Sequence, residues 1–179
     1  MVFKIITAKD GRKVVLRSIV ASDVKRAKEF VDCLNSVISE GTYILFTDKL
    51  SVDAEKEWIK GAIARVRNNH FTFIAECEGK IIGTATLAQD IGTIKHVATA
   101  GLMIQKGYRE MGIGSEMMKI LIETAKHIKV KLVKLNVFGT NKRAQSLYKK
   151  FGFKEVARIS KLNNFKGKFV DDIIMIRKM

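Results

Sequence analysis

The stretch Gly107-Tyr108-Arg109-Glu110-Met111-Gly112-Ile113-Gly114-Ser115 decides how this chain is read. It separates an apolar run, His96 to Ile104, from a segment in which Ile113, Met117, Ile120, Leu121 and Ala125 recur at helical spacing. Two glycines one residue apart at a helix start let the backbone approach a ligand closely. The unpaired N–H groups of the first turn and the helix dipole then favour an anion. Taken alone, the pattern also fits a simple tight turn.

A second stretch follows about one strand later: Asn141-Lys142-Arg143-Ala144-Gln145-Ser146-Leu147-Tyr148-Lys149-Lys150-Phe151-Gly152-Phe153. Between Thr124 and Lys154 there is no Asp or Glu, whereas Lys126, Lys129, Lys131, Lys134, Lys142, Arg143, Lys149, Lys150 and Lys154 all fall there. The chain as a whole carries a formal charge of +15. A solvated Lys-rich surface and a positive rim for a phosphate-bearing ligand both explain such an excess. The neighbouring glycine loop favours the rim.

Working outward, Lys13 to Arg17 reads as a first strand. Val24, Ala27, Val31, Leu34 and Ile38 mark an amphipathic helix ending near Gly41, and Tyr43 to Leu50 reads as a loop. A second helix is expected from about Asp53 to Asn68, with Trp58, Ile59, Ala62, Ile63 and Val66 on one side. Phe71 to Cys77 and Ile81 to Leu87 flank the turn Glu78-Gly79-Lys80 as an antiparallel hairpin. Lys131 to Phe138 is a strand partly apolar on both sides, Asn141 to Phe151 a short helix, and Phe153 to Ile159 and Phe169 to Ile176 two closing strands. The order β-α-α-β-β-β-α-β-α-β-β predicts an α/β fold, a mixed central sheet of about six to seven strands flanked by about four helices. With 179 residues, no proline and no linker-like tract, one domain over 1–179 is expected.

Arg-x-x-Gly-x-Gly followed by Asn-x-x-Ala-x-x-Leu-Tyr-x-x-x-Gly-Phe resembles the GNAT superfamily of N-acetyltransferases, and the element order agrees from the hairpin onward. The run Lys161 to Asp172 resembles, less specifically, the hairpin of the amino-acid- and ribosomal-protein-acetylating branches. The resemblance implies acetyl-CoA as acyl donor and a primary amine as acceptor, joined by direct attack in a ternary complex. Arg109, Gly112 and Gly114 match the pyrophosphate loop, whose N–H groups across Glu110, Met111, Gly112, Ile113, Gly114 and Ser115 would hold the diphosphate. Leu102, Met103 and Ile104 match the end of a splayed strand that pairs with pantetheine, with Met103 or Ile104 as donor to the thioester carbonyl. Asn141 matches a CoA-contacting asparagine, Arg143 stands beside it in the basic stretch, and Tyr148 matches the acid that protonates the leaving thiolate.

The chain departs from the family where its general bases usually stand. The central strand has Thr99 in place of a Glu, and five residues before Asn141 the chain has Asn136. Water, His96 or Glu40 is left to deprotonate or hold the amine. The acceptor is expected to be a small amine, amino acid or polyamine, with a protein N-terminus or lysine as the alternative. A non-catalytic CoA-sensing or nucleic-acid-binding module is the reading from another class. Nucleic acid is not the expected partner, because the charge is its only support and no helix-turn-helix or aromatic-studded basic strand accompanies it. A homodimer stays open.

Cys33 and Cys77 form no metal-like or redox-like pair and read as buried thiols, and His70, His96 and His127 are scattered, so no metal is expected. No apolar run reaches the roughly 20 residues that span a bilayer, and Met1 to Arg12 has no signal-peptide core, so no membrane partner and a cytoplasmic address are expected.

Overall fold

The computed structural model describes residues 2–40, 48–165 and 167–179. Its strands in chain order are β1 (Val2–Thr7), β2 (Lys13–Ser18), β3 (His70–Cys77), β4 (Lys80–Gln89), β5 (Val97–Ile104), β6 (Leu132–Phe138), β7 (Lys154–Phe165) and β8 (Lys168–Lys178). Helices α1 (Ala27–Glu40) and α2 (Val52–Ala64) fall between β2 and β3, α3 (Ile113–His127) follows β5, and α4 (Lys142–Lys150) follows β6. All eight strands form one sheet in the order β1-β2-β3-β4-β5-β6-β8-β7. Only the β5–β6 pair is parallel.

The expected six to seven strands become eight. The added one is β1, paired antiparallel with β2 from Val2↔Arg17 to Thr7↔Lys13. Its apolar residues are broken by Lys4, and Phe3 and Ile5 remain exposed, so only pairing with β2 reveals it as a strand. The second helix is shorter than expected. The chain tightens into a 3-10 turn at Arg65–Asn68, Asn69 turns left-handed, and Val66 is exposed and leaves the helical stripe. Residues 41–47, most of the expected loop, lie outside the described residues; Asp48 to Leu50 form neither helix nor strand.

Two apolar clusters cover the two faces of the sheet. One joins Ile113, Met117, Leu121 and Ala125 of α3 to Leu16, Ala85, Leu87, Ala98 and Leu135. The other packs Phe30 of α1 and Ile59 and Ala62 of α2 on Ile74 and Ile81. Both cysteines are buried free thiols, as expected. Among the described residues no helix is long and apolar enough to cross a membrane.

A split in the sheet positions everything that follows. β5 pairs with β6 only at Val97↔Leu132, Ala98↔Val133 and Thr99↔Lys134. Beyond Thr99, β6 stays with β8 as far as Phe138↔Asp172, while β5 stays with β4 as far as Gly83↔Ile104. A wedge therefore opens beside Ala100 to Ile104, where one backbone edge has no strand partner among the described residues.

Candidate active site

Hydrogen-bond parity says which β5 residues face that wedge. A strand residue turns its N–H and C=O to the same side, and alternate residues face opposite neighbours. The His96 carbonyl accepts from Lys131 and Leu132 on the β6 side, whereas the Val97 carbonyl accepts from Asp90 on the β4 side. Gln105 donates toward Ile82, and a Cβ added at Gly83 would lie 2.6 Å from the Met103 carbonyl. Odd-numbered residues therefore address β4, and even-numbered ones address the gap. The Met103 backbone is turned away, which corrects its reading as a donor. Leu102 and Ile104 carry the free edge.

The glycine loop continues from this edge. Gly112 precedes α3 with φ +89°, a left-handed conformation that a side chain resists. At Gly114 a Cβ would lie 3.3 Å from both Ile104 Cδ1 and Leu147 Cδ2, so this glycine also lets α3 approach β5 and α4. Ser115 bonds back to the Gly112 carbonyl at 3.0 Å. Among the described residues the N–H groups of Glu110, Met111, Gly112, Ile113 and Gly114 find no backbone acceptor. Five adjacent donors at a helix start form an anion cradle.

The turn after β1 braces the loop from outside. Lys9 N–H donates to the Met111 carbonyl at 3.3 Å, Arg12 Nη2 donates to the Gly107 carbonyl at 3.2 Å, and the Arg12 guanidinium lies 4.3 Å from the Tyr108 ring centre. Neither Lys9 nor Arg12 belongs to any motif, and only the β1–β2 pairing brings them here.

Loop, wedge and helices enclose one cavity of about 1610 Å³. Toward α3 and α4 it is lined by Leu102, Ile104, the loop, Asn141, Leu147 and Tyr148, with Lys4, Lys9, Lys119, Arg143 and Lys150 among its cations. Asn141 caps α4, its Oδ1 accepting from Ala144 N–H at 3.1 Å. Arg143 lies 3.4 Å from Glu110, and both are well exposed, so this pair is weak. Tyr148 is buried against Phe153, with ring centres 5.9 Å apart. Its hydroxyl has no hydrogen-bond partner among the described residues, and burial pushes the phenol up to about 12.

Glu40 and His96, the expected acceptor-side residues, are both corrected. Glu40 binds Arg109 at both oxygens and lies outside the cavity lining. Arg109 in turn donates Nε to the Ile104 carbonyl at 2.7 Å, so it locks the loop to α1 and to the strand edge. His96 is exposed before the far end of β5, eight residues from Ile104, or roughly 26 Å along an extended strand. Thr99 and Asn136 are likewise engaged elsewhere, with Asp90 and Asp172.

The residue the sequence reading passed over is Glu55. It is 5% exposed, on the first turns of α2, and lines the same cavity beside Phe30, Cys33, Leu34 and Trp58. Its signal was present: Glu55, Ile59 and Ala62 stand at i, i+4 and i+7, which puts a carboxylate on the apolar face. Burial pushes Glu55 up to about 7 and the Cys33 thiol up to about 12.

A split sheet, an amide cradle at a helix start and a buried phenol meet at a common cavity, as expected of the acetyltransferases that the sequence resembles. The acetyltransferase (GNAT) family model matches residues 35–153, more than half of the chain, and the chain belongs to this family. It is 29% identical over 106 residues to an L-amino acid N-acetyltransferase from Escherichia coli, a match covering 58% of this chain and 65% of that one. Among solved structures, a ribosomal-protein-alanine N-acetyltransferase from Brucella melitensis superposes with a TM-score of 0.80 at 19% identity, covering 92% of this chain and 99% of that one. A putative acetyltransferase from Salmonella typhimurium, solved with its cofactor acetyl-CoA, also superposes at 0.80, with 15% identity and coverage of 92% and 93%.

Proposed function

We propose that the protein transfers the acetyl group of acetyl-CoA to a primary amine by direct attack. The observation that carries this is the run of N–H groups from Glu110 to Gly114 that find no backbone acceptor among the described residues, opening on a cavity beside the unpaired edge of β5. Family membership and the acetyl-CoA in the Salmonella relative support the choice of donor.

In this reading the loop amides hold the diphosphate, with Lys9, Arg143 and Lys150 adding positive charge around it. Leu102 pairs with the pantetheine amides, and Ile104, whose carbonyl is already held by Arg109, offers its N–H to the oxygen that becomes negative as nitrogen attacks. The C–N bond forms, the C–S bond breaks, and Tyr148 gives its hydroxyl proton to sulfur, recovering one from the nitrogen. An acyl-cysteine route is disfavoured. Among the described residues Cys33 is the only cysteine on the cavity, and with its thiol pushed to about 12 it holds almost no thiolate at neutral pH.

Isothermal calorimetry with acetyl-CoA tests the donor site. The wild type should bind at a one-to-one ratio, and Gly112→Val should abolish binding while leaving the circular dichroism spectrum native. Unchanged affinity in the variant would sink the assignment. Release of free thiol across a panel of amines then tests transfer itself.

A further inference from the structure

We propose that Glu55 is the acceptor-side carboxylate of this protein, receiving the ammonium of a small amine whose body is apolar and carries no acid group. The inference rests on the acetyl-transfer reading and names the acceptor class for it.

Three observations converge on Glu55. It is 5% exposed, yet among the described residues its carboxylate makes no hydrogen bond or ion pair, and it faces a cavity. A buried carboxylate without a partner costs stability, and nothing structural is gained from it here. Its surroundings fit a hydrocarbon or aromatic body, since Phe30, Leu34, Val37, Leu50 and Trp58 line this end of the cavity. Lastly, the cations on the cavity wall belong to the loop side. Near Glu55, Cys33 on α1 is the titratable neighbour, the Arg109 charge that reaches Cys33 is already paired with Glu40, and Thr84 and Thr86 on β4 carry no charge.

The charge pattern distinguishes substrate classes. A free amino acid brings a carboxylate that would need a cation beside the amine site. Arg109 is held by Glu40 and Ile104. An amine lacking an acid group meets no such mismatch. The thioester lies across the wedge, because Thr84, Thr86, Gly101 and Met103 share the cavity with Leu102 and Ile104 of the opposite face. The ammonium gives one proton to Glu55, which passes it to solvent. The neutral nitrogen attacks, and its second proton replaces the one Tyr148 gives to sulfur.

Trp58, the single tryptophan, lines this end of the cavity and reports occupancy without turnover. With saturating CoA, 2-phenylethylamine should quench its fluorescence, and the affinity should tighten as pH rises through about 7. Glu55→Gln should weaken amine binding by about 10-fold or more at pH 8, remove the pH dependence, and leave acetyl-CoA affinity unchanged. The uncharged 2-phenylethanol should bind both proteins equally. A wild-type affinity independent of pH, equal amine affinity in the variant, or tighter binding of leucine than of 2-phenylethylamine overturns the proposal. So does a wild type that binds acetyl-CoA but not 2-phenylethylamine, and this needs no variant to fold. Loss of acetyl-CoA binding in the wild type would instead overturn the acetyl-transfer reading.

Discussion

Arg109 grips Glu40 with both arms of its guanidinium, at 2.5 and 2.6 Å, and donates its remaining Nε–H to the Ile104 carbonyl at 2.7 Å. One side chain thus ties the end of α1, the glycine loop and the end of β5. Both partners are mostly buried, at 15% and 18% exposed, so removing one leaves the other under-solvated. Arg109→Met and Glu40→Gln should each cost about 1–3 kcal/mol, or roughly 2–12 °C in thermal midpoint for a chain of this size. The double variant should cost little more than either single. Thermal unfolding of all four proteins checks this, and additive losses would show that the pair is not coupled.

A second prediction concerns the basic stretch. Arg143 and Lys150 line the cavity, whereas Lys142 and Lys149 are exposed outside its lining. Arg143→Glu with Lys150→Glu should raise the dissociation constant for acetyl-CoA by about 10-fold at low salt, and the loss should shrink as salt screens the charges. Lys142→Glu with Lys149→Glu makes the same charge change and should do far less. Equal losses in the two pairs would mean that only the overall field of the surface matters.

How legible this site was depends on how local each part is. The cradle from Glu110 to Gly114 and the cap at Asn141 lie within short runs, so spacing alone announces them. The wedge is announced less directly, because it depends on β6 leaving β5 after Thr99 to follow β8. Nothing in Val2 to Thr7 tells of pairing with β2, so Lys9 and Arg12 could not be placed behind the loop. Glu40 was named for the right region and the wrong task, since its partner Arg109 is 69 residues away. Glu55 was visible as a flaw in an apolar stripe. What could not be read was that this stripe covers a cavity as well as a core.

The buried carboxyl of Glu55 also predicts a pH dependence of stability. Its folded value of about 7 lies above the ordinary 4.5 of a glutamate, so the folded protein binds the extra proton between these limits. The associated stability is fully present below about pH 4.5 and is lost as pH rises through about 7. Glu55→Gln removes the ionisation. The variant should match the wild type near pH 4.5 and exceed it at pH 8 by on the order of 1–3 kcal/mol. Denaturant titrations at the two pH values check the sign, and a variant less stable than wild type at pH 8 would mean that the carboxylate has a stabilising partner.

Tyr148 provides the sharpest test of the chemistry. Its phenol is pushed up to about 12 by burial, so it remains protonated throughout the working range and is always ready to donate. The same value makes it a weaker acid than an exposed tyrosine. Transfer to sulfur is therefore favourable only because the departing thiolate is desolvated in the same cavity and its own basicity rises with it. Tyr148→Phe keeps the ring against Phe153 and removes only the hydroxyl, so acetyl-CoA affinity and thermal midpoint should barely change. Single-turnover rates should fall by about 10²-fold, the lower end of what general-acid catalysis supplies. Single turnover is the appropriate measurement, because product release can mask the chemical step in the steady state. The wild-type rate should show no descending limb from this group below about pH 10, since the phenol does not ionise there. A native single-turnover rate in Tyr148→Phe would pass the role of acid to water and leave Tyr148 as the packing partner of Phe153.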